Sequence, residues 1–271
     1  MLRLWPDPPP LYDAADLDDE ALRDVYAPDR TRPCVRVNFV TSLDGAVEIA
    51  GHSRGLSSEA DQKVFSVLRT LADAVMVGAG TLRHERYGPV RLAEASRAWR
   101  REQGLAEQPT LVIISSSLDL EAGHRAFTEA PVRPVVLTHA GAPPDRRAAI
   151  EPVADMVICG ESGVDLSAGL AELLRRGLGQ VLCEGGPHLF GALLAADLVD
   201  ELCLTVSPLL AGAGPGRIVA GAGADAGRAE PLPMRLVHVI AAGDMLLTRY
   251  ARLGAAASET HGQGADMVAG R

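Results

Sequence analysis

The stretch Gln180-Val181-Leu182-Cys183-Glu184-Gly185-Gly186-Pro187-His188-Leu189-Phe190-Gly191-Ala192-Leu193-Leu194 decides the fold. Its first four residues read as a buried strand, two glycines turn the chain, and Pro187 opens a helix. Proline suits the first helical position, where its missing N–H would have no intrahelical partner. The helix therefore starts with free backbone N–H groups and a positive dipole end, beside glycines that let a ligand come close. Glu184 places a carboxylate at the lip of this phosphate cradle. The same letters also describe an ordinary strand–turn–helix connection, so the reading needs a second observation.

Gly78-Ala79-Gly80-Thr81 supplies it, because it follows another apolar run, Ala74-Val75-Met76-Val77. Gly78 and Gly80 permit close backbone approach to a pyrophosphate, and Thr81 adds a hydroxyl donor. The third glycine of the full dinucleotide fingerprint is missing. Two strand–glycine–helix junctions in one sheet suit a dinucleotide lying across the C-terminal strand edges.

Working outward, strands are expected at 35–40, 110–114, 134–138, 155–159 and 180–183. Helices are expected near 93–103, 145–150, 166–176 and 187–196. Ser58-Glu59-Ala60-Asp61 has the form of a capping box, followed by apolar residues at helical spacing through Leu71. After Asp200, Leu202, Leu204 and Val206 alternate with other residues, and 237–248 reads as a closing hairpin turning at Ala242-Gly243-Asp244. The expected fold class is α/β: a three-layer arrangement with a mixed, mostly parallel central sheet, helices on both faces and a C-terminal antiparallel hairpin. Residues 34–253 form one domain in this reading. Residues 1–33 form an arm with one short helix over 18–26, and the Gly- and Ala-rich stretch 254–271 is a disordered tail.

Composition narrows the function. Of 271 residues, 47% are hydrophobic and 23% charged, which supports a sizeable core. The net charge of −9 and scattered basic residues argue against sequence-independent nucleic-acid binding, which needs a basic surface. Cys34, Cys159, Cys183 and Cys203 lie in or beside apolar runs with no Cys-x-x-Cys spacing, so they read as reduced core residues. The histidines show no metal spacing, and no metal site is expected. No apolar run approaches a membrane span, and the N-terminus lacks a signal-peptide pattern; a cytoplasmic protein is expected.

Two further polar groups follow strands. Asp44, in Thr41-Ser42-Leu43-Asp44-Gly45, either makes a local turn or stands at the mouth of the cleft. The hydroxyls of Ser115-Ser116-Ser117 either cap a turn or hold a ribose and its 2′-phosphate.

Five motifs in order carry a family resemblance. They are Thr41-Ser42-Leu43-Asp44-Gly45, Arg69 with Ala72-Asp73-Ala74, Gly78-Ala79-Gly80-Thr81, Glu184-Gly185-Gly186-Pro187, and Asp200-Glu201-Leu202 followed by Pro208-Leu209-Leu210-Ala211-Gly212. Over about residues 35–250 the chain resembles the reductase domain of riboflavin biosynthesis, the pyrimidine reductases with a dihydrofolate reductase-like fold. The resemblance implies NADPH-dependent reduction of the ribosyl group of an aminopyrimidine ribosylamine 5′-phosphate to ribityl, by hydride transfer to C1′. It implies cofactor contacts at Val40, Gly78, Gly80, Thr81, Glu85, Ser116, Gly185, Gly186, Pro187, His188, Leu189 and Phe190. On the substrate side it points to Ser53, Arg69, Arg91 and Glu184. Asp44 and Glu184 are the carboxylates available to supply a proton, with water as the alternative. A homodimer is also implied.

The chain departs from the family on the substrate side. Gly55-Leu56-Ser57 stands where a tryptophan is usual, Asn38 where bifunctional members carry lysine, and Glu85-Arg86-Tyr87-Gly88-Pro89-Val90-Arg91 replaces the usual Asp-Asp-Pro segment. No zinc motif of the family's deaminase domain occurs, so a stand-alone reductase is expected. A same-fold reductase of a dihydrofolate-like pterin, or a nucleotide-binding protein without turnover, would keep the same cofactor motifs.

Overall fold

Apolar and β-branched runs form the strands of one sheet in the computed structural model, which describes residues 1–5, 17–85, 87–214, 216–221 and 230–253. The strands are β1 (Leu2–Trp5), β2 (Cys34–Thr41), β3 (Ala74–Gly78), β4 (Thr110–Ile114), β5 (Val135–Thr138), β6 (Asp155–Ile158), β7 (Gln180–Cys183), β8 (Glu201–Val206), β9 (Met234–Ala242) and β10 (Met245–Arg252). Their order across the sheet is β1-β9-β10-β8-β2-β7-β3-β4-β5-β6. From β8 to β6 every neighbouring pair is parallel, whereas β10 runs antiparallel to β8 and to β9.

The helices are α1 (Asp19–Tyr26), α2 (Glu59–Leu71), α3 (Ala79–His84), α4 (Glu94–Glu102), α5 (Arg125–Thr128), α6 (Pro144–Ile150), α7 (Leu166–Arg175) and α8 (Pro187–Ala195). Side chains alternate across each strand, so the parallel strands bury both faces. Val37, Met76, Val112 and Cys183 face α7 and α8, packing on Leu173 and Leu193. On the opposite face Val75, Val77 and Ile113 meet Leu82, Phe127 and Ile150. Beside them Leu182, Cys203 and Leu247 meet α1 and α2 through Leu22, Tyr26, Val64 and Leu68. This is the expected three-layer arrangement.

Ser58 caps α2 as read, its hydroxyl accepting from the Asp61 N–H at 3.3 Å, but the box is not reciprocated, because the Asp61 carboxylate accepts from the Ser57 hydroxyl at 2.6 Å. The closing hairpin turns at Gly243, with Met245 opposite Ala242. Three short elements carry no signal in the sequence: β1, α5 and the 3-10 turn Ser53–Gly55. Leu2–Trp5 lies antiparallel to β9 as an edge strand, so the arm begins inside the sheet. Four residues before a proline carry no period of their own; the partner strand makes the element. The one-turn helix α5 is equally short. Farther along, α1 lies on α2, and Arg249 donates to the Val25 carbonyl at 3.0 Å. The tail 254–271 and part of the glycine-rich loop, residues 215 and 222–229, lie outside the described residues. No helix among the described residues is long and apolar enough to cross a membrane.

Strand order places the site. The chain runs from β2 through α2 to β3, leaving a gap, and steps outward to β6. It then returns so that β7 fills the gap between β2 and β3. Connections leaving the C-terminal ends there diverge, and such a switch point opens a crevice.

Candidate active site

A cleft of about 790 Å³ lies at the C-terminal ends of β2, β3 and β7. That volume is within the usual range for small-molecule sites. The floor comes from β2 through Asn38, Phe39 and Val40; one wall comes from α2 through Asp61, Gln62, Phe65 and Arg69. Positions 61, 65 and 69 recur every fourth residue and so share one helix face.

The two glycine junctions meet beneath this cleft. The Gly78 N–H donates to the Gly185 carbonyl at 3.0 Å, and Glu184 N–H donates to the Met76 carbonyl at 3.0 Å. A Cβ on Gly186 would come within 3.1 Å of the Thr81 hydroxyl, so glycine leaves that hydroxyl room. Gly185 has φ +89°, a region that disfavours any side chain, and a Cβ there would press on Phe39 at 3.0 Å. The Gly185–Gly186 peptide is cis. Among the described residues no side chain caps α3 or α8, leaving the first-turn N–H groups available to an anion. Gly78, Gly80, Thr81, Gly186, Pro187, His188 and Leu189 all line the cleft. Gly185 lies buried at the turn, and Phe190 is buried behind it, stacked on Phe39 with ring centroids 5.5 Å apart.

Glu184 is held on the inner wall by two partners. Arg69 grips it with both arms of its guanidinium, Nε to Oε1 at 2.6 Å and Nη2 to Oε2 at 2.7 Å. The Tyr87 hydroxyl donates to Oε2 and accepts from Arg69 Nη2 at 2.9 Å. The Arg69 guanidinium also lies over the Phe65 ring, 4.3 Å from its centroid. Burial works against the Arg69 charge, yet Glu184 and Tyr87 hold its proton more firmly than usual. Burial, and then the Glu184 carboxylate, push the Tyr87 phenol well above its ordinary range, so it stays protonated. The bidentate fork is the strong form of guanidinium–carboxylate pairing.

Glu85 and Ser53 face each other across the outer wall. The Ser53 N–H donates to Glu85 Oε1 at 3.2 Å, and His52 Nδ1 lies 3.7 Å from Oε2. Both residues line the cleft.

Three expected site residues stand elsewhere. Asp44 is exposed and does not line the cleft. Its carboxylate accepts from the Ser42 hydroxyl, from Ala211 N–H at 3.1 Å and from Gly212 N–H at 2.8 Å. These hydrogen bonds, led by Ser42, hold its carboxyl down to about 2. Asp44 therefore makes the turn and fastens the loop after β8, the structural alternative for that motif. Arg91 is exposed, outside the cleft, and donates to the Glu129 carbonyl at 2.6 Å. Ser116 is exposed just beyond β4, next to β3 but off the cleft wall. Conversely, Tyr87, Phe65 and Arg54 line the cleft without having been singled out. Phe65 was signalled by its spacing of four from Arg69; Tyr87 and Arg54 carried no local signal.

Residues 33–248 match the family described as the RibD C-terminal domain. A reductase of Archaeoglobus fulgidus, named for 2,5-diamino-6-ribosylamino-4(3H)-pyrimidinone 5′-phosphate, is 34% identical over 67% of this chain and 83% of its own. The protein of the same name from Methanothermobacter thermautotrophicus is 30% identical over 81% of this chain and 98% of its own. The crystal structure of a pyrimidine reductase-like protein from Corynebacterium diphtheriae superposes with TM-score 0.77 at 26% identity, covering 86% of this chain and 98% of that one. With matching motifs gathered around one cleft, the chain belongs to the RibD C-terminal domain family and is an oxidoreductase.

Proposed function

We propose that the protein uses NADPH to reduce the ribosyl group of an aminopyrimidine ribosylamine 5′-phosphate to ribityl. The observation that carries the reading is the junction of two uncapped helix starts with the Arg69–Glu184–Tyr87 cluster in one cleft. The residues present fit a dinucleotide: N–H groups and the Thr81 hydroxyl face a space that side chains on the glycines would narrow. NADPH would supply the hydride when bound. Thr81 and the α8 start would hold the phosphates, and Phe39 with Val40 would floor the cleft. Glu184, fixed by Arg69 and Tyr87, would accept a hydrogen bond from the substrate and orient it, since alignment is a large part of such catalysis. The proton needed on the sugar oxygen or amine then comes from water rather than from Asp44.

Purified protein should oxidise NADPH with the aminopyrimidine ribosylamine phosphate and leave dihydrofolate untouched. Saturating NADPH should raise the melting temperature, because a ligand of the native state stabilises it. An unchanged melting temperature, or equal turnover of dihydrofolate, would sink the reading.

A further inference from the structure

Among the described residues lining the cleft, Arg54 is a guanidinium with no partner in the Arg69–Glu184–Tyr87 cluster. The described cleft is lined by four carboxylates (Glu48, Asp61, Glu85 and Glu184) and two guanidiniums, Arg54 and Arg69. Arg69 is already engaged by Glu184. Arg91, the other arginine expected near the substrate, points its guanidinium at the Glu129 carbonyl outside the cleft. Arg54 is exposed, and its guanidinium has no hydrogen bond or ion pair with another described residue.

Its backbone, in contrast, is anchored. Arg54 lies at the centre of the one-turn 3-10 helix Ser53–Gly55. Glu85 holds that turn at its start through the Ser53 N–H, and the Leu56 N–H closes it on the Ser53 carbonyl at 2.9 Å. Leu56 is buried beneath it, 1% exposed. A side chain on so fixed a turn starts from a defined place. A phosphate dianion entering a cleft with twice as many carboxylates as guanidiniums is repelled unless a free cation meets it. A planar guanidinium is well matched to phosphate.

We propose that Arg54 receives a phosphate monoester dianion in this cleft. The inference rests on the reading of the cleft as a site for a sugar phosphate and a nicotinamide dinucleotide phosphate. Both ligands carry such a group, one on the substrate sugar and one on the adenosine ribose.

The test is calorimetric binding to wild-type protein, Arg54→Ala and Arg54→Lys, using two matched pairs of probes. One pair is ribose 5-phosphate against ribose; the other is adenosine 2′,5′-diphosphate against adenosine 5′-monophosphate. Loss of a charge-assisted contact should weaken one phosphorylated probe about 10- to 100-fold in Arg54→Ala. Its partner lacking that phosphate should bind wild type and variant alike, and Arg54→Lys should fall between. The affected pair identifies whether the phosphate belongs to the substrate or the cofactor. An unchanged melting temperature in Arg54→Ala excludes misfolding as the cause. The proposal is overturned if both phosphorylated probes bind Arg54→Ala as tightly as wild type, or if the added phosphate gives wild type no advantage in either pair. No turnover is required, so failure of the reductase reading would show separately, as wild-type protein that does not oxidise NADPH.

Discussion

Tyr87 and Arg69 reach the same carboxylate oxygen, from α2 on one side and from the segment after α3 on the other. Replacing Tyr87 by phenylalanine removes its hydrogen bond to the Glu184 carboxylate and the one it accepts from Arg69, on the order of 1.5–3 kcal/mol for each charged contact. If Glu184 orients the pyrimidine, kcat/KM for that substrate should fall about tenfold or more while NADPH affinity stays unchanged. Equal losses of both would move the cluster to the cofactor half of the cleft. Glycines, Thr81, Arg69 and Glu184 were legible because each belongs to a local motif. Tyr87 was not, since its importance comes from meeting two groups distant in sequence. Asp44 shows the converse, a residue in the right motif whose carboxylate is taken by the N–H groups of Ala211 and Gly212.

A second residue-scale consequence concerns acid stability. Burial, reinforced by Arg249 and Arg36, pushes the imidazole of His238 down to about 3, and its buried Nε2 has no hydrogen-bond partner among the described residues. The unfolded chain takes up a proton near the ordinary histidine value of about 6.5, whereas the folded chain refuses it. The stability due to neutral His238 is therefore present above about 6.5 and lost as pH falls from there toward about 3. Its contribution to the slope approaches about 1.4 kcal/mol per pH unit. Urea unfolding between neutral and mildly acidic pH should show a shallower decline in His238→Phe than in wild type. Parallel declines would acquit the histidine.

At the scale of elements, Glu201 joins three strands. It receives Arg36 of β2 at 2.6 Å and Arg249 of β10 at 2.6 Å from its own place on β8. Burial works against its ionisation, but the two guanidiniums outweigh it and lower the carboxyl below its usual range. Alongside it, Asp200 accepts from the Val35 N–H at 2.7 Å and tightens the start of β2. The Asp200-Glu201 pair that helped to place the chain in its family thus secures the seam between parallel and antiparallel strands. Glu201→Ala would leave two buried guanidiniums without their counter-charge, a loss of about 3–5 kcal/mol measurable by urea unfolding. A loss below about 1 kcal/mol would show that the cluster contributes little, as surface pairs do. The interior strands and the longer helices were legible because apolar runs and periods announce them. The edge strand β1 and the single turn α5 were not, because their partners define them.

For the whole molecule, the sequence displayed alternating strands and helices but not the order in which the strands lie. The decisive fact is that β7 fills the space between β2 and β3, since this brings the two glycine junctions side by side. Strand order is set by packing between remote segments, and no local pattern encodes it. The same arrangement governs when the chain can fold during synthesis. Among the described residues β2 pairs only with β7 and β8, so residues 34–41 wait until position 180 has been made before a neighbouring strand exists. Leu2 waits longer still, for Ala241. Such remote pairings delay folding, because long loops must close before contacts repay their entropy. A fragment ending at residue 178 should therefore leave the amides of Val35 and Val37 open to hydrogen exchange, whereas the full chain should protect them. Protection of those amides in the fragment would show that β2 can find another partner. Leu2–Trp5, made before every other described segment, is thus among the last to be locked in place.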